Sequence, residues 1–145
     1  MYMDRFREFS SLISRTEKAL QKAKAENVRG YGLRGVHVSC LLELYERPEG
    51  IPASELATVC GVDRAQISRV TTELIELGLV EGGGSGQRRR YRAPLILTYE
   101  GREAASQMAG IVSEKLRRVS GDISEHDLAV FYRVLRLIAE RLEEL

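Results

Sequence analysis

Two stretches of this 145-residue chain carry side chains suited to gripping a polyanion and reading its edges. In the first, Arg64, Ala65, Gln66, Ser68, Arg69 and Thr72 fall outside an aliphatic repeat made by Ile67, Val70, Leu74 and Leu77. Spacings of three and four put the aliphatic residues on one helix face and leave the others outward. Arginine and glutamine make two-point contacts to guanine and adenine, and serine and threonine suit phosphate or either base. The N-terminal half of such a helix is also its electropositive end. The second stretch is Gln87-Arg88-Arg89-Arg90-Tyr91-Arg92, with no acidic residue between Gly82 and Pro94. Like charges repel across a hairpin, and phosphate is the counter-charge that relieves them. Each stretch has a plainer reading: a solvated helix face for the first, and an edge strand kept from aggregating by charge for the second. Their proximity in sequence favours double-stranded DNA. A protein-interaction module is the alternative, although a protein interface would prefer aromatic anchors to a block of like charge.

Other chemistry is sparse. His37 and Cys40 lie three apart and share a helix face. A metal needs two more ligands, and His126 and Cys60 are distant in sequence, so the pair reads as buried and structural, with no metal and no cofactor. Cys40 and Cys60 fit no disulfide framework and have no Arg or Lys evidently placed to lower a thiol pKa. Tyr31, His37, Cys40 and Tyr45 form a candidate effector pocket, set against ordinary aromatic packing. No nucleophile, base and acid at catalytic spacing, phosphate loop or carboxylate pair stands out, so the chain reads as a non-enzyme.

Local signals define the elements that must position these residues. A helix from Arg5 to about Glu26 carries Phe6, Phe9, Ile13, Leu20 and Ala23 at helical spacing. A glycine-containing turn, Asn27 to Gly32, ends it. The second helix, Leu33 to Glu46, turns Val36, Cys40, Leu41, Leu44 and Tyr45 inward and stops at Arg47-Pro48-Glu49-Gly50. Ala53 to Cys60 is a short helix with Leu56 and Val59 inward, Gly61 makes the turn, and Val62 plugs the corner. Asp63 caps the outward-arginine helix, with Gln66 completing the capping pattern. Beyond Gly78 the period drops to two: Leu79-Val80 reads as a strand, Gly82 to Gly86 as a tip, and Arg88 to Leu97 as the return, with Pro94 marking an edge or bulge. Thr98 caps a helix over Tyr99 to Val119 with Ala105, Met108, Val112 and Leu116 inward. The last helix begins at Ser124, Ile123 and Leu128 forming a staple. Its seam of Leu128, Phe131, Leu135, Ile138, Leu142 and Leu145 suits packing along another helix.

The composition, 43% hydrophobic and 30% charged with a net charge of +1, is that of an ordinary globular protein. A near-neutral chain has no uniformly basic coat, so phosphate affinity must come from charge placement. With no signal-peptide pattern and no membrane-length apolar run, a cytoplasmic location is expected.

The motif set Ser54-Glu55-Leu56-Ala57, Val62 through Ile67-Ser68-Arg69, Glu73-Leu74 with Gly78-Leu79-Val80, and Leu97-Thr98 with Gly101 resembles the MarR family of transcriptional regulators across nearly the whole chain. That resemblance implies a mainly α fold with a small β wing: a winged helix-turn-helix flanked by long terminal helices. It implies dimerisation helices at 1–32 and 99–145 and a DNA-binding region at 33–98, with the helix-turn-helix at 51–80 and the wing at 79–98. It further implies a homodimer of the repressor type on a pseudo-palindromic operator, responding to a small phenolic or lipophilic effector or to thiol oxidation. Base-reading positions carry over to Arg64, Ala65, Gln66, Ser68 and Arg69, and the wing arginine to the neighbourhood of Arg90, beside Arg88 and Arg89. Family wings commonly place an Asp just before that arginine, and here Arg89 stands there. The implied dimer interface comprises Phe6, Phe9, Ile13, Leu128, Phe131, Leu135, Ile138 and Leu142.

Overall fold

The computed structural model describes residues 1–26, 28, 31–82 and 93–145. The expected arginines Arg88, Arg89 and Arg90 lie outside the described residues, as does part of the Asn27 to Gly32 turn. The elements run α1 (Tyr2–Ala25), α2 (Gly35–Tyr45), α3 (Ala53–Cys60), α4 (Arg64–Glu76), β1 (Val80–Gly82), β2 (Leu95–Leu97), α5 (Tyr99–Ser120) and α6 (Glu125–Glu143). The fold is mainly helical with one small antiparallel sheet, as expected.

The chain divides into two compact units, Met1–Val112 and Ser113–Leu145. The core of the first gathers around α2, with Val38, Cys40, Leu41 and Leu44 sealed against Leu56 of α3, Ile67, Val70 and Leu74 of α4, and Ala105 of α5. Helix α1 packs on α2, and Lys24 Nζ donates to Ser39 Oγ at 2.9 Å. None of the α1 residues is buried: Phe9 is half-buried, and Phe6 and Ile13 stay 56% and 43% exposed.

In the sheet, Val80 pairs with Leu97, Glu81 with Ile96 and Gly82 with Leu95. Ile51, just before α3, adds a bridge to Leu95, its N–H donating to the Leu95 carbonyl at 3.3 Å and its own carbonyl accepting from Leu95 N–H at 2.8 Å. The first strand is shifted by one residue and runs on to Gly82, and residues 88–92 of the expected return strand lie outside the described residues. Gly82, read as part of the tip, is paired, whereas Leu79 precedes the strand. Pro94 lacks an N–H for the ladder, and β2 begins immediately after it.

The inward pattern also fails at three element ends. Val59 is 45% exposed, Leu77 51% and Leu116 46%. Leu77 is the C-cap of α4, where the chain turns away through Gly78 at positive φ. Periodicity assigns a face, but nothing covers that face beyond the last turn in contact with α2 and β1.

The second unit holds the end of α5, a turn at Gly121, and α6, capped by Ser124 Oγ accepting from the Asp127 N–H at 3.1 Å. No α6 residue is buried. Leu128, Leu135 and Ile138 are half-buried, while Phe131 and Leu142 are 53% and 50% exposed. Val130, Val134 and Leu137 are exposed too, so the apolar surface is wider than the expected seam.

Candidate nucleic-acid interface

Helix α4 is built by a local signal and held by distant ones. Asp63 sits in extended backbone and its Oδ1 accepts the Gln66 N–H at 2.7 Å, satisfying an orphan donor of the first turn. Before it, Gly61 at φ +68° closes α3 in the left-handed region that glycine enters without strain. The Val62 N–H then donates to the Ala57 carbonyl at 3.0 Å, and Val62 packs half-buried in the corner as expected. Ile67, Val70 and Leu74 are 1%, 0% and 0% exposed and fix the rotation of α4 about its axis.

That rotation decides which side chains face out. Arg64, Ala65, Ser68, Arg69 and Thr72 are exposed and Gln66 is half-buried. Thr71, one residue from Thr72, is buried and spends its hydroxyl on the Ile67 carbonyl at 2.8 Å. The outward stretch from Arg64 to Thr72 contains no acidic residue. It therefore presents guanidinium, amide and hydroxyl groups at the positive end of the helix dipole.

A brace that sequence reasoning missed lies at the middle of α4. His37 is fully buried at the start of α2. Its Nδ1 accepts the Arg34 N–H at 2.9 Å, so the ring proton belongs on Nε2, which meets Glu73 Oε2 at 2.8 Å. Arg34 adds a guanidinium 3.9 Å from the other Glu73 oxygen. One imidazole thus caps α2 and anchors α4. Neither role is visible locally, because His37 and Glu73 are 36 residues apart.

The expected effector cluster does not converge. His37 and Cys40 are closed off within the core, and Tyr45 lies beneath the Arg102 guanidinium, 5.9 Å from its ring centroid. Tyr31 instead lines a cavity of about 270 Å³ whose walls are mostly apolar, from Val28, Leu33, Leu79, Met108 and Ile111, together with Glu100 and Gln107. Nor does His37 share a site with Cys40: the thiol partner of Cys40 is Cys60, 3.8 Å away between sulfurs. Among the described residues no group of three or more His, Cys, Asp or Glu could hold a metal.

The small sheet is tied to the end of α4 by Thr98. Its Oγ donates to the Gly78 carbonyl at 2.6 Å and accepts the Gly101 N–H at 3.0 Å, starting α5 where α4 ends. A Cβ on Gly101 would collide with the Leu79 carbonyl oxygen, so glycine there permits the contact. Arg88 to Arg90 belong to the sequence between the two strands.

This arrangement is a helix-turn-helix followed by a two-stranded wing. Residues 31–90 match the MarR family. No curated relative matches by sequence. Among solved structures, CouR from Rhodococcus jostii RHA1 bound to p-coumaroyl-CoA is 26% identical, with a TM-score of 0.77 over 90% of this chain and 91% of that one. A MarR-family transcriptional regulator from Rhodococcus sp. RHA1 is also 26% identical, with a TM-score of 0.74 over 92% and 93%. A MarR transcriptional regulator from Methanosarcina mazei Go1 shares the fold at 19% identity, with a TM-score of 0.79 over 97% and 99%. The reading head matches the family in sequence, and the fold matches over nearly the whole chain. The chain thus carries the winged-helix fold of MarR-type transcriptional regulators.

Proposed function

We propose that the chain binds double-stranded DNA sequence-specifically as a homodimer and represses transcription from a pseudo-palindromic operator until a small effector releases it. The observation that carries this reading is the exposed, acid-free half of α4, Arg64 to Thr72, on a helix whose rotation is fixed by a sealed aliphatic face. Such a helix fits a major groove with its N-terminal residues toward base edges. In this reading Arg69 and Gln66 read bases, Ser68 and Thr72 add phosphate or base contacts, and Arg88, Arg89 and Arg90 engage the backbone or minor groove.

The dimer is supported by the apolar faces that remain uncovered in the single chain: Phe6, Phe9 and Ile13 on α1, and Leu128, Phe131, Leu135, Ile138 and Leu142 on α6. Surfaces of this kind mark association sites. The effector reading is supported by the cavity beside Tyr31, which suits a one-ring lipophilic ligand. CouR binding an aromatic acyl thioester is a parallel for that chemistry. No described helix is long and apolar enough to cross a membrane, and we place the protein in the cytoplasm with its DNA.

Selection of bound duplexes from a random pool, followed by titration of the selected site at two salt concentrations, tests the proposal. A palindromic consensus is expected, with affinity falling steeply as salt rises because arginines displace counterions. Absent binding, or binding indifferent to salt, would refute it.

A further inference from the structure

Taking the cavity beside Tyr31 as the effector site proposed above, we infer that it accepts a one-ring arylalkylamine, a cationic ligand whose ammonium pairs with Glu100 and whose far end meets Gln107. Every lining residue belongs to the first unit. At about 270 Å³ the space falls just below the ~300–1,000 Å³ of pockets for drug-sized molecules, so a molecule with a single ring fits it best. Val28, Tyr31 and Leu33 come from the connection between α1 and α2, Leu79 from the approach to β1, and Ala104, Met108 and Ile111 from α5. The short side chain of Ala104 leaves room for an occupant, and Tyr31 and the Met108 thioether both suit contact with an aromatic ring.

The polar part of the lining sets the charge of the ligand. Among the described residues that line the cavity, Glu100 is the acidic one and no lysine or arginine joins it. A carboxylate ligand therefore meets repulsion there, and an ammonium attraction. The helix dipole alone favours an acid in the first turn of α5. What sets Glu100 apart is the company on its face: Glu100, Ala104, Gln107, Met108 and Ile111 follow at helical spacing and form one stripe of α5 along the cavity. Glu100 and Gln107 stand two turns apart, about 10 Å along the helix axis. Neither side chain is bonded to another described residue. The stripe is thus anionic at one end, apolar between, and hydrogen-bonding at the other. A molecule with an ammonium, a ring and a hydroxyl in line is its complement.

Leu79 connects this ligand to DNA binding. Its N–H donates to the carbonyl of Leu74, the last core residue of α4, at 3.0 Å, and its own carbonyl accepts the Thr98 N–H at 3.0 Å. An occupant pressing on Leu79 therefore bears on the junction where α4 ends and the small sheet and α5 begin. Saturating amine is expected to weaken binding to the selected operator at least fivefold.

The test titrates the full chain at pH 7 by calorimetry with four probes of one shape: tyramine, phenethylamine, 4-ethylphenol and 3-(4-hydroxyphenyl)propionate. Tyramine is expected to bind most tightly, at least about tenfold ahead of the propionate, which exchanges its ammonium for a carboxylate. Glu100→Gln should weaken tyramine about 3–5-fold, the scale of an ion pair open to water, and leave 4-ethylphenol unchanged. Gln107→Leu should erase the advantage of tyramine over phenethylamine. The unsubstituted chain decides the order of the four probes even if a variant folds poorly. No binding by any probe, 4-ethylphenol equal to tyramine, or the propionate equal to or ahead of it would overturn the proposal; in the last two cases the cavity keeps its ligand-binding role and loses only the assigned charge. Tyramine that binds in the expected order yet leaves operator affinity unchanged would refute the effector reading while the amine site stands.

Discussion

Glu73 anchors α4 from its core side while adding negative charge near the face proposed to meet DNA, and substitution separates the two effects. In Glu73→Ala, the fully buried His37 Nε2–H loses its acceptor. A hydrogen bond to a charged group contributes about 1.5–3 kcal/mol. Glu73 is 43% exposed, so water replaces part of it and the lower end applies, about 1.5 kcal/mol. The exposed Arg34 pair, at 3.9 Å, adds little. For a domain of this size that loss lowers Tm by about 3–6 °C. Glu73→Gln keeps an acceptor oxygen and removes the charge, so it should retain more than half of that stability. Both variants remove negative charge and should bind non-specific DNA slightly more tightly. Only Glu73→Ala also loosens α4, and its affinity for the selected operator should fall about 5–10-fold, worth roughly 1–1.4 kcal/mol. Thermal melts and fluorescence anisotropy on specific and scrambled duplexes measure both quantities. Equal melting losses in the two variants, or an unchanged melt for Glu73→Ala, would refute the anchoring role of the His37 bond.

Arg69→Ala is expected to weaken specific binding about 5–150-fold, the loss of one base-reading contact, with a smaller effect on scrambled DNA, whereas Arg88→Ala weakens both alike. Equal ratios for the two variants in parallel titrations would contradict that division. Gly101→Ala drives a methyl into the Leu79 carbonyl, and denaturant melts should show a loss of about 1–3 kcal/mol despite alanine's better helix propensity. Phe131 is already 53% exposed in the single chain, so Phe131→Glu should lower the sedimenting mass from dimer to monomer without loss of helicity. An unchanged mass would place the interface elsewhere.

Sequence alone determined what is decided within a turn or two of chain. Asp63 caps because its oxygen needs only the N–H three residues on, and Ile67, Val70 and Leu74 share a face because the helical repeat places them there. The outward identity of Arg64, Ser68, Arg69 and Thr72 follows from the same repeat. Tertiary structure decided what that face meets and where it stops being covered. The His37–Glu73 brace, the Ile51–Leu95 bridge and the Cys40–Cys60 contact join residues 36, 44 and 20 positions apart and depend on how the elements pack together. Crossing is a property of two surfaces together, and no local spacing records it. Hence His37 and Cys40, neighbours on one helix, take different partners, and Leu77 and Leu116 keep the inward phase without a surface to bury against. The chemistry of the reading helix was written locally; its orientation, and the partner of each buried polar side chain, came from packing.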